Sequence, residues 1–226
     1  MESPLYPAID DPELRLIETA LWDGCACPLI DRHLARLANG ANRLGWTLDP
    51  VAARAALTGP AGQPVCLRLL LDRDGAITVG QAPVPAPIAC WRLGLAAQRL
   101  QSADPWLRVK STRRPAYDAA RRDIPAGLNE LVLINERGEV CDGTITTIFF
   151  DRGKGLRTPP LSSGLLPGVL RADMLGRGLC VEETLPATDL PDVRLWVGNA
   201  LRGMAPAIWT GQAQAGHTSP SSPRTP

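Results

Sequence analysis

The chain passes from a glycine-rich loop into a helix in the stretch Ser163-Gly164-Leu165-Leu166-Pro167-Gly168-Val169-Leu170-Arg171. Its glycines and its proline favour a loop, and the apolar residues that follow predict a helix from Val169 to about Leu175. The first backbone amides of a helix have no partner within the helix, and they attract anions. We therefore expect the amides of Val169 and Leu170 to bind a phosphate group.

Lysine is rare in this chain. Only Lys110 and Lys154 among the 24 basic residues are lysines, and the others are arginines. An arginine keeps its charge, whereas a lysine amine can lose its proton and act as a nucleophile that forms Schiff bases. Lys154 lies in a segment typical of an exposed hairpin tip. Lys110 is therefore a candidate catalytic residue, although an arginine-rich genome can also leave a single lysine at the surface.

An acid begins an otherwise apolar strand in the stretch Asp142-Gly143-Thr144-Ile145-Thr146-Thr147-Ile148-Phe149-Phe150. Burying a carboxylate is costly unless a cation lies beside it, and the pyridinium nitrogen of pyridoxal phosphate (PLP) is such a cation. A PLP site needs a lysine, an acid and phosphate donors, so Asp142, Thr146 and Thr147 are candidate cofactor-binding residues. Asp142 can instead be a turn residue, and the threonines can be ordinary strand residues.

Length and composition exclude several classes of protein. The chain has 226 residues, of which 45% are hydrophobic and 21% are charged, as is usual for a globular enzyme. A net charge of +1 argues against a nucleic-acid binder, and no apolar run is long enough to span a membrane. The two histidines exclude a histidine-rich metal site, and the six cysteines lack a Cys-x-x-Cys pair. Without a recognisable signal peptide, we expect reduced thiols in a cytoplasmic protein that holds no metal.

The hydrophobic pattern predicts a mixed α/β (α+β) fold with two domains. The predicted elements of the first half are a strand at 14–22, a helix after an N-cap at Asp31, a short helix at 51–57, and a hairpin of 64–71 and 76–79. Those of the second half are strands at 88–95, 130–134, 139–150, 179–185 and 194–197, with helices at 115–122 and 169–175. The predicted parts are a small domain at 1–82, a Pro-rich linker at 83–87, a larger domain at 88–210 and a disordered tail at 211–226.

Several motifs resemble, in family order, those of the class IV aminotransferases, which are fold-type IV PLP enzymes. They are His33-Leu34-Ala35-Arg36-Leu37, Lys110 followed by Arg114, Asn135-Glu136-Arg137-Gly138-Glu139-Val140-Cys141-Asp142-Gly143, and Leu165-Leu166-Pro167-Gly168-Val169-Leu170-Arg171. The resemblance extends from about Ile17 to Pro206. It implies that Arg36 binds the PLP phosphate, that Lys110 forms the Schiff base and that Asp142 pairs with the ring nitrogen. It also implies a D-amino-acid aminotransferase-like fold and a homodimer that acts on a small amino substrate.

The chain departs from the family pattern in ways that bear on activity. Asp142 stands where the family usually has glutamate, Thr147 where it has asparagine, and Leu170 where it often has threonine. Leu170 still offers a backbone amide but no hydroxyl. The segment before residue 14 is also short for the family, so the small domain is expected to be truncated. A degenerate, non-catalytic homologue is therefore an open alternative.

Two short segments bear on which activity of the family applies. Asn199-Ala200-Leu201 resembles a turn of the family's 4-amino-4-deoxychorismate lyases, and so does Glu18-Thr19-Ala20 in the first strand. The tyrosine that aminotransferases place in that strand is missing. The resemblance thus implies a PLP-dependent lyase that forms 4-aminobenzoate, a folate precursor, and pyruvate. A branched-chain or D-amino-acid aminotransferase is the alternative, and Asn199 can also simply cap a turn.

The role of the arginines is open from the sequence. Arg36 lies on an amphipathic helix and, apart from the resemblance, can be a surface residue. Arg113, Arg114, Arg121 and Arg122 can attract a dicarboxylate substrate or form a solvated helix face, and the sequence favours the solvated face.

Overall fold

A three-stranded sheet and two helices form the first part of the structure, a computed structural model that describes Leu5 and residues 11–212. These elements are β1 (Leu16–Trp22), α1 (Ile30–Leu44), α2 (Pro50–Ala56), β2 (Val65–Leu71) and β3 (Ile77–Pro83). The strands pair antiparallel in the order β1-β2-β3, which we call the small sheet. The hairpin of β2 and β3 was predicted, because Asp74-Gly75 is a strong turn signal.

The strand β2 has one buried and one open face, because successive side chains of a strand point to opposite sides. Leu67 and Leu69 are fully buried in a hydrophobic cluster that also contains Leu37 and Ala41 of α1. Arg68 lies between the two leucines in sequence and is exposed on the other face. One side of the small sheet is therefore a core, and the other is free to line a site.

The helix α1 does not begin as the sequence predicts. The N-cap predicted at Asp31 is wrong, because the N-cap is Leu29, which has a left-handed backbone with φ of 58°. Asp31 lies within the first turn, where its carboxylate pairs with Arg54 of α2 instead of capping the helix. An acid in the first turn still stabilises the helix through the helix dipole.

An eight-stranded mixed sheet forms the second part of the structure. Its elements and helices are β4 (Trp91–Leu100), α3 (Pro115–Arg122), β5 (Glu130–Asn135), β6 (Val140–Gly143), β7 (Thr147–Asp151), β8 (Arg157–Thr158), α4 (Val169–Gly176), β9 (Val181–Glu182), β10 (Arg194–Asn199) and β11 (Gly203–Gln212). The strand order is β6-β5-β4-β11-β10-β7-β8-β9, which we call the large sheet. Short 3-10 helices lie at Pro105–Arg108, Leu161–Ser163 and Ala187–Asp192. The predicted mixed α/β class is confirmed.

Two predicted strands of the large sheet differ from the structure. The strand predicted at 139–150 is two strands, β6 and β7, with bends at 144–146 between them. The bends arise because the buried Glu130 carboxylate accepts hydrogen bonds from the backbone there, as described below. The strand predicted at 179–185 contains only the two residues of β9.

The strand β11 was not predicted, because Pro206 and two glycines make its sequence a poor strand pattern. It forms because it lies between β4 and β10 and pairs with both. The Thr210 hydroxyl also donates to the carbonyl oxygen of Leu93 at 2.7 Å. Since β11 extends through Gln212, the tail predicted to begin at Gly211 is wrong for its first two residues. The rest of the predicted tail, 213–226, lies outside the described residues.

Backbone hydrogen bonds join the first strand of the small sheet to the segment that carries Lys110. The amide of Ile17 in β1 donates to the carbonyl oxygen of Lys110 at 2.9 Å. The amide of Thr112 donates to the carbonyl oxygen of Arg15, also at 2.9 Å. The segment that carries Lys110 is therefore fixed to an edge strand of the small sheet.

A short segment links the two sheets. The strand β3 ends at Pro83 and β4 begins at Trp91, so this segment is residues 84–90.

Within residues 11–212, none of the helices has the length and apolar character needed to cross a membrane. The six cysteines are all free thiols.

Candidate active site

A cavity of ≈ 440 Å³ lies between the open face of the small sheet and the large sheet. This volume is typical of sites for small molecules. Its lining contains the eight residues that the sequence singles out, which are Arg36, Lys110, Asp142, Thr146, Thr147, Val169, Leu170 and Asn199. They come from different helices, strands and turns, so the fold brings together residues that are far apart in sequence.

Lys110 lies on the cavity wall and is partly exposed. Burial, together with the charges of Arg36, Arg114 and Arg68, lowers the pKa of its amine to about 7, although the charge of Glu18 opposes them. An amine with this pKa is neutral in a large fraction of molecules at neutral pH, unlike an ordinary lysine. Lys110 can therefore act as a nucleophile or as a base under ordinary conditions.

Asp142 is buried at the end of β6, and it faces the same cavity. Burial raises its pKa well above the usual value, and the neighbouring charge of Glu130 adds to this effect. Its Oδ1 atom has no hydrogen-bond partner among the described residues. The Leu166 amide hydrogen-bonds the carboxyl, but a buried oxygen atom left without a partner is costly, so the geometry favours a ligand that brings a cation or a donor to Oδ1.

Tyr117 of α3 adds a second polar atom of the same kind. Its hydroxyl is buried on the cavity lining and has no hydrogen-bond partner within the described part of the chain. Burial raises its pKa well above the usual value, and the charge of Asp142 raises it further, so it remains a donor. A protonated pyridine ring with polar substituents would offer partners to both atoms, so these residues fit PLP.

The turn between β6 and β7 is built on Glu130, which sequence reasoning did not single out. This carboxylate is fully buried and accepts from the amides of Thr144 at 2.9 Å and Ile145 at 3.2 Å. It also accepts from the Thr146 hydroxyl at 3.0 Å. A Cβ atom on Gly143 would lie 2.9 Å from Glu130 Oε2, so the turn needs glycine there. The turn is thus held in one shape beside the cavity.

Asn199, at the end of β10, fixes the other side of this turn. Its side-chain amide donates to the carbonyl oxygen of Ile145 at 3.0 Å. Its Oδ1 atom accepts from the amides of Leu201 at 3.1 Å and Arg202 at 2.9 Å. Asn199 therefore caps its own turn, as the alternative interpretation of the sequence proposed, and it lines the cavity as well.

The helix α4 presents its first amides to the cavity. Gly168 is the N-cap, and no side chain of the described residues caps this end of the helix with a hydrogen bond. Val169 and Leu170 follow it on the cavity lining. A Cβ atom on Gly168 would lie 2.7 Å from the Thr147 hydroxyl oxygen, so the strand and the helix approach closely. The arrangement leaves free amides where an anion such as a phosphate can bind.

Arg36 reaches the same region from α1. Its Nε and Nη2 atoms donate to the two carboxylate oxygens of Glu18 at 2.8 and 2.7 Å. Its Nη1 atom lies 3.4 Å from the carbonyl oxygen of Pro167, next to the α4 end of the cavity. The side chain is only 11% exposed, so the surface alternative for Arg36 is wrong.

Glu18 is the second buried acid that sequence reasoning did not assign to the site. It is fully buried and lies between Arg36 and His33, whose Nδ1 atom is 2.7 Å away. Burial alone would raise the pKa of Glu18, but Arg36 and His33 outweigh burial and hold the pKa at about 2. A charged residue inside the apolar strand β1 is the signal in the sequence that could have indicated Glu18. Glu130, at the start of the apolar strand β5, gives the same signal.

Glu18 makes the stability of the protein depend on pH. Its pKa falls from an ordinary 4.5 to about 2 on folding. Such a carboxyl stabilises the fold above its unfolded pKa, and the stabilisation is lost as the pH falls through the folded value. We expect Glu18 to contribute ~3 kcal/mol near neutral pH and progressively less below about pH 4.5.

The measurement is the free energy of urea unfolding of wild type and Glu18→Gln at about pH 6 and about pH 3. The difference between the two proteins should narrow in acid. The exposed Glu13→Gln is the control and should show almost no difference at either pH. A Glu18→Gln difference of equal size at both pH values would contradict the expectation.

Two of the arginines that the sequence assigned to a solvated helix face lie on the cavity instead. Arg113 and Arg114 both line it, because they precede α3 rather than lying on its outer side. Arg113 stacks over the ring of Trp106 at 4.8 Å. Arg114 donates to the carbonyl oxygen of Thr144 at 2.5 Å. The predicted helix face is therefore wrong for these two residues, although Arg113 is exposed to solvent.

Comparison with known proteins defines the class to which this fold and site belong. A solved structure from Mesorhizobium loti, assigned as an amino-acid aminotransferase, has a TM-score of 0.81 and 43% identity. It matches 87% of this chain and 100% of that one. The 4-amino-4-deoxychorismate lyase of Pseudomonas aeruginosa has a TM-score of 0.73 at 22% identity, over 88% of this chain and 84% of that one. The fold is that of the fold-type IV PLP enzymes.

The sequence comparison gives the family. The family described as Amino-transferase class IV matches residues 15–208, so this chain belongs to the class IV aminotransferases, which are PLP-dependent enzymes. A Schizosaccharomyces pombe protein assigned as an aminodeoxychorismate lyase is 30% identical over 179 residues. That match spans 76% of this chain and 77% of the relative. The resemblance stated from the motifs is confirmed.

Proposed function

We propose that this enzyme is a PLP-dependent lyase that converts 4-amino-4-deoxychorismate to 4-aminobenzoate and pyruvate. The observation that carries the proposal is the convergence on one cavity of an amine with a pKa of about 7, a buried acid whose Oδ1 atom has no partner among the described residues, and a helix N-terminus. The assignment of the Schizosaccharomyces pombe relative supports the lyase activity.

The residues present fit PLP. Arg36 and the amides of Val169 and Leu170 would hold its phosphate, and Asp142 would pair with its ring nitrogen. Thr146, Thr147 and Asn199 would complete the wall of the site. Bound PLP supplies an electron sink for the carbon that carries the amino group of the substrate.

The protein's own part in the reaction is proton transfer and charge stabilisation. Lys110 Nζ would take the proton from the carbon that carries the amine, since its lowered pKa leaves it a free electron pair near neutral pH. Asp142 would hold a proton at the ring nitrogen, because a carboxyl with a raised pKa shares a proton readily. Loss of pyruvate then leaves an aromatic ring, which makes the elimination favourable.

The substrate of the lyase carries two carboxylates, and the cavity offers cations for them. Arg68, Arg99, Arg113 and Arg202 line it. None of the four forms an ion pair with a carboxylate of the described residues. The strand β1 also provides Thr19, and no tyrosine, at the position that faces the cavity. Both features favour the lyase over an aminotransferase.

An aminotransferase is the second candidate, and the Mesorhizobium loti structure favours it because that protein is assigned as an amino-acid aminotransferase at 43% identity. The two reactions share the removal of the proton by Lys110. They differ afterwards, since an aminotransferase returns a proton to the cofactor and needs a keto acid as acceptor. Homodimer formation, a cytoplasmic location and a place in folate synthesis belong to the same proposal and rest on resemblance to the family.

The test is an assay of purified, PLP-loaded protein with 4-amino-4-deoxychorismate and no keto acid. Formation of 4-aminobenzoate and pyruvate in equal amounts would support the lyase. Turnover of an amino acid only when a keto acid is added would show an aminotransferase instead. Absence of any PLP absorbance band, even with excess PLP, would mean that Asp142, Thr147 and Leu170 mark a degenerate homologue.

A further inference from the structure

Glu130 is a fully buried carboxylate to which the proposed reaction gives no role. It begins β5, and its two oxygens accept hydrogen bonds from neutral donors. These donors are the amides of Leu131, Thr144 and Ile145 and the hydroxyls of Thr144 and Thr146. An ionised carboxylate is an acceptor only, which matches this set of donors. The interior of the protein therefore contains a fixed negative charge at this point.

The charge of Glu130 is only partly balanced. Its one ion pair among the described residues is with Arg121 of α3, whose Nη1 atom lies 3.8 Å from Oε1. The Arg121 side chain is 43% exposed, and an ion pair with a solvated partner is weak. Negative charge therefore remains that can act on other groups nearby.

Glu130 lies behind the part of the cavity wall that carries Asp142. The cavity lining contains Asp142 and the turn residues 143–146, and within the described part of the chain it does not include Glu130. A Cβ atom on Gly143 would lie 2.9 Å from Glu130 Oε2, so the carboxylate packs against the residue that follows Asp142. The turn between β6 and β7 therefore separates Glu130 from the cavity.

The charge of Glu130 reaches Asp142 across this turn. After burial, it is the largest cause that raises the pKa of Asp142. Two arginines act against it, which are Arg171 of α4 and Arg114. Burial raises the pKa of the neighbouring Tyr117 and Cys141, so both of these groups stay neutral. A cation that binds beside Asp142 is thus attracted by two carboxylates, and it touches only one of them.

We propose that Glu130 is a positioning residue for the protonated ring nitrogen of PLP, because its buried charge acts through the turn and makes Asp142 a stronger partner for that nitrogen. The inference rests on the part of the proposed function that places PLP against Asp142, and it applies to a lyase and to an aminotransferase alike. Attraction between charges is weakly screened in the protein interior, so a carboxylate that does not touch the ring can still stabilise its proton.

The experiment uses protein loaded with PLP whose ring nitrogen is isotopically labelled, because the NMR chemical shift of that nitrogen reports its protonation. It is made in Asp142→Asn, where the ring nitrogen should lose its proton within the accessible pH range. Adding Glu130→Gln should lower the midpoint pH of this loss by about 1 unit or more, since an opposite charge near a cation raises its pKa by this order.

Three further changes in the same Asp142→Asn protein separate charge from shape. Thr144→Val removes one hydrogen bond to Glu130 but leaves its charge, so the midpoint should stay unchanged. Arg121→Gln removes the cation beside Glu130 and should raise the midpoint. Arg122→Gln is the matched control, because it removes an exposed charge from the same helix and should leave the midpoint where it was.

Several results would overturn the inference. One is a midpoint that Glu130→Gln does not lower, and another is an equal lowering by Thr144→Val. If the Glu130→Gln protein does not fold or does not bind PLP, Arg121→Gln decides, because its side chain is half-exposed and its loss should leave the fold intact. A midpoint no higher in Arg121→Gln than in Arg122→Gln would then overturn the inference.

The outcomes also distinguish this inference from the proposed function. A midpoint that depends on Glu130, in an enzyme whose wild type fails to convert 4-amino-4-deoxychorismate, would leave the inference standing and remove the lyase proposal. Conversion by the wild type, with a midpoint that Glu130→Gln does not change, would leave the lyase proposal standing and remove the inference.

Discussion

Replacing Lys110 with alanine is expected to reduce turnover by about 10³-fold or more, whichever reaction of the family the enzyme performs. Lys110 is the one lysine on the described cavity lining, and burial together with neighbouring arginines lowers its pKa to about 7. The proposed roles as nucleophile and base both need this amine, and a positioned base alone contributes about 10²- to 10⁴-fold. Alanine should also prevent covalent attachment of PLP.

The readouts are the initial rate and the mass of the protein after borohydride treatment. Wild type should retain PLP on the peptide that contains Lys110, and Lys110→Ala should retain none. Lys154→Ala is the matched control, because it removes the other lysine of the chain from an exposed turn and should change neither result. Covalent PLP on Lys154, or an active Lys110→Ala, would contradict the assignment.

Replacing Asp142 with asparagine is expected to reduce kcat about 100-fold while leaving PLP attached to Lys110. Asparagine has nearly the size of a protonated aspartic acid, so the cavity should keep its shape. It cannot carry a negative charge or share a proton with a ring nitrogen. Burial and the Glu130 charge raise the pKa of Asp142, and the charges of Arg171 and Arg114 do not outweigh them.

The pH dependence of the cofactor absorbance separates this role from a structural one. In Asp142→Asn, the absorbance of bound PLP should change with pH as expected for a ring nitrogen that loses its proton. The absorbance of wild type should not change over the same pH range. Asp142→Glu restores the residue that the family usually has and should keep kcat within roughly tenfold of wild type. An Asp142→Asn enzyme with unchanged kcat would mean that the acid serves only to fill the cavity wall.

Local signals in the sequence predicted much of the fold. The helix at 115–122 was predicted with its observed bounds because Pro115 suits the first turn of a helix. The β2–β3 hairpin followed from its turn residues. The strand β11 was missed because its stability comes from pairing with β4 and β10, and its own residues give a weak signal. Elements that form because of partners distant in sequence could not be predicted from the local pattern of residues.

The sequence likewise predicted only part of the candidate site. Motifs placed eight residues that do converge on one cavity, but they did not reveal the carboxylates behind them. Glu18 orients Arg36, and Glu130 shapes the turn that carries Thr146. Each contact joins segments whose relation depends on the folded sheets. A charged residue in a strand otherwise made of apolar residues is the signal that would have indicated both.

The hydrogen bonds between residues 15–17 and the segment that carries Lys110 determine when the enzyme can bind its cofactor. Thr112 Oγ1 accepts from the amide of Arg15 across 97 positions of sequence, and Asn199 closes the far wall of the cavity. Nearly all of the described residues must therefore be synthesised before the lysine, the acid and the phosphate-binding helix can come together. Contacts between residues that lie so far apart in sequence also form slowly. We therefore expect PLP to bind late in maturation, so that the yellow absorbance of bound PLP appears only after the residues of the site have been synthesised and folded.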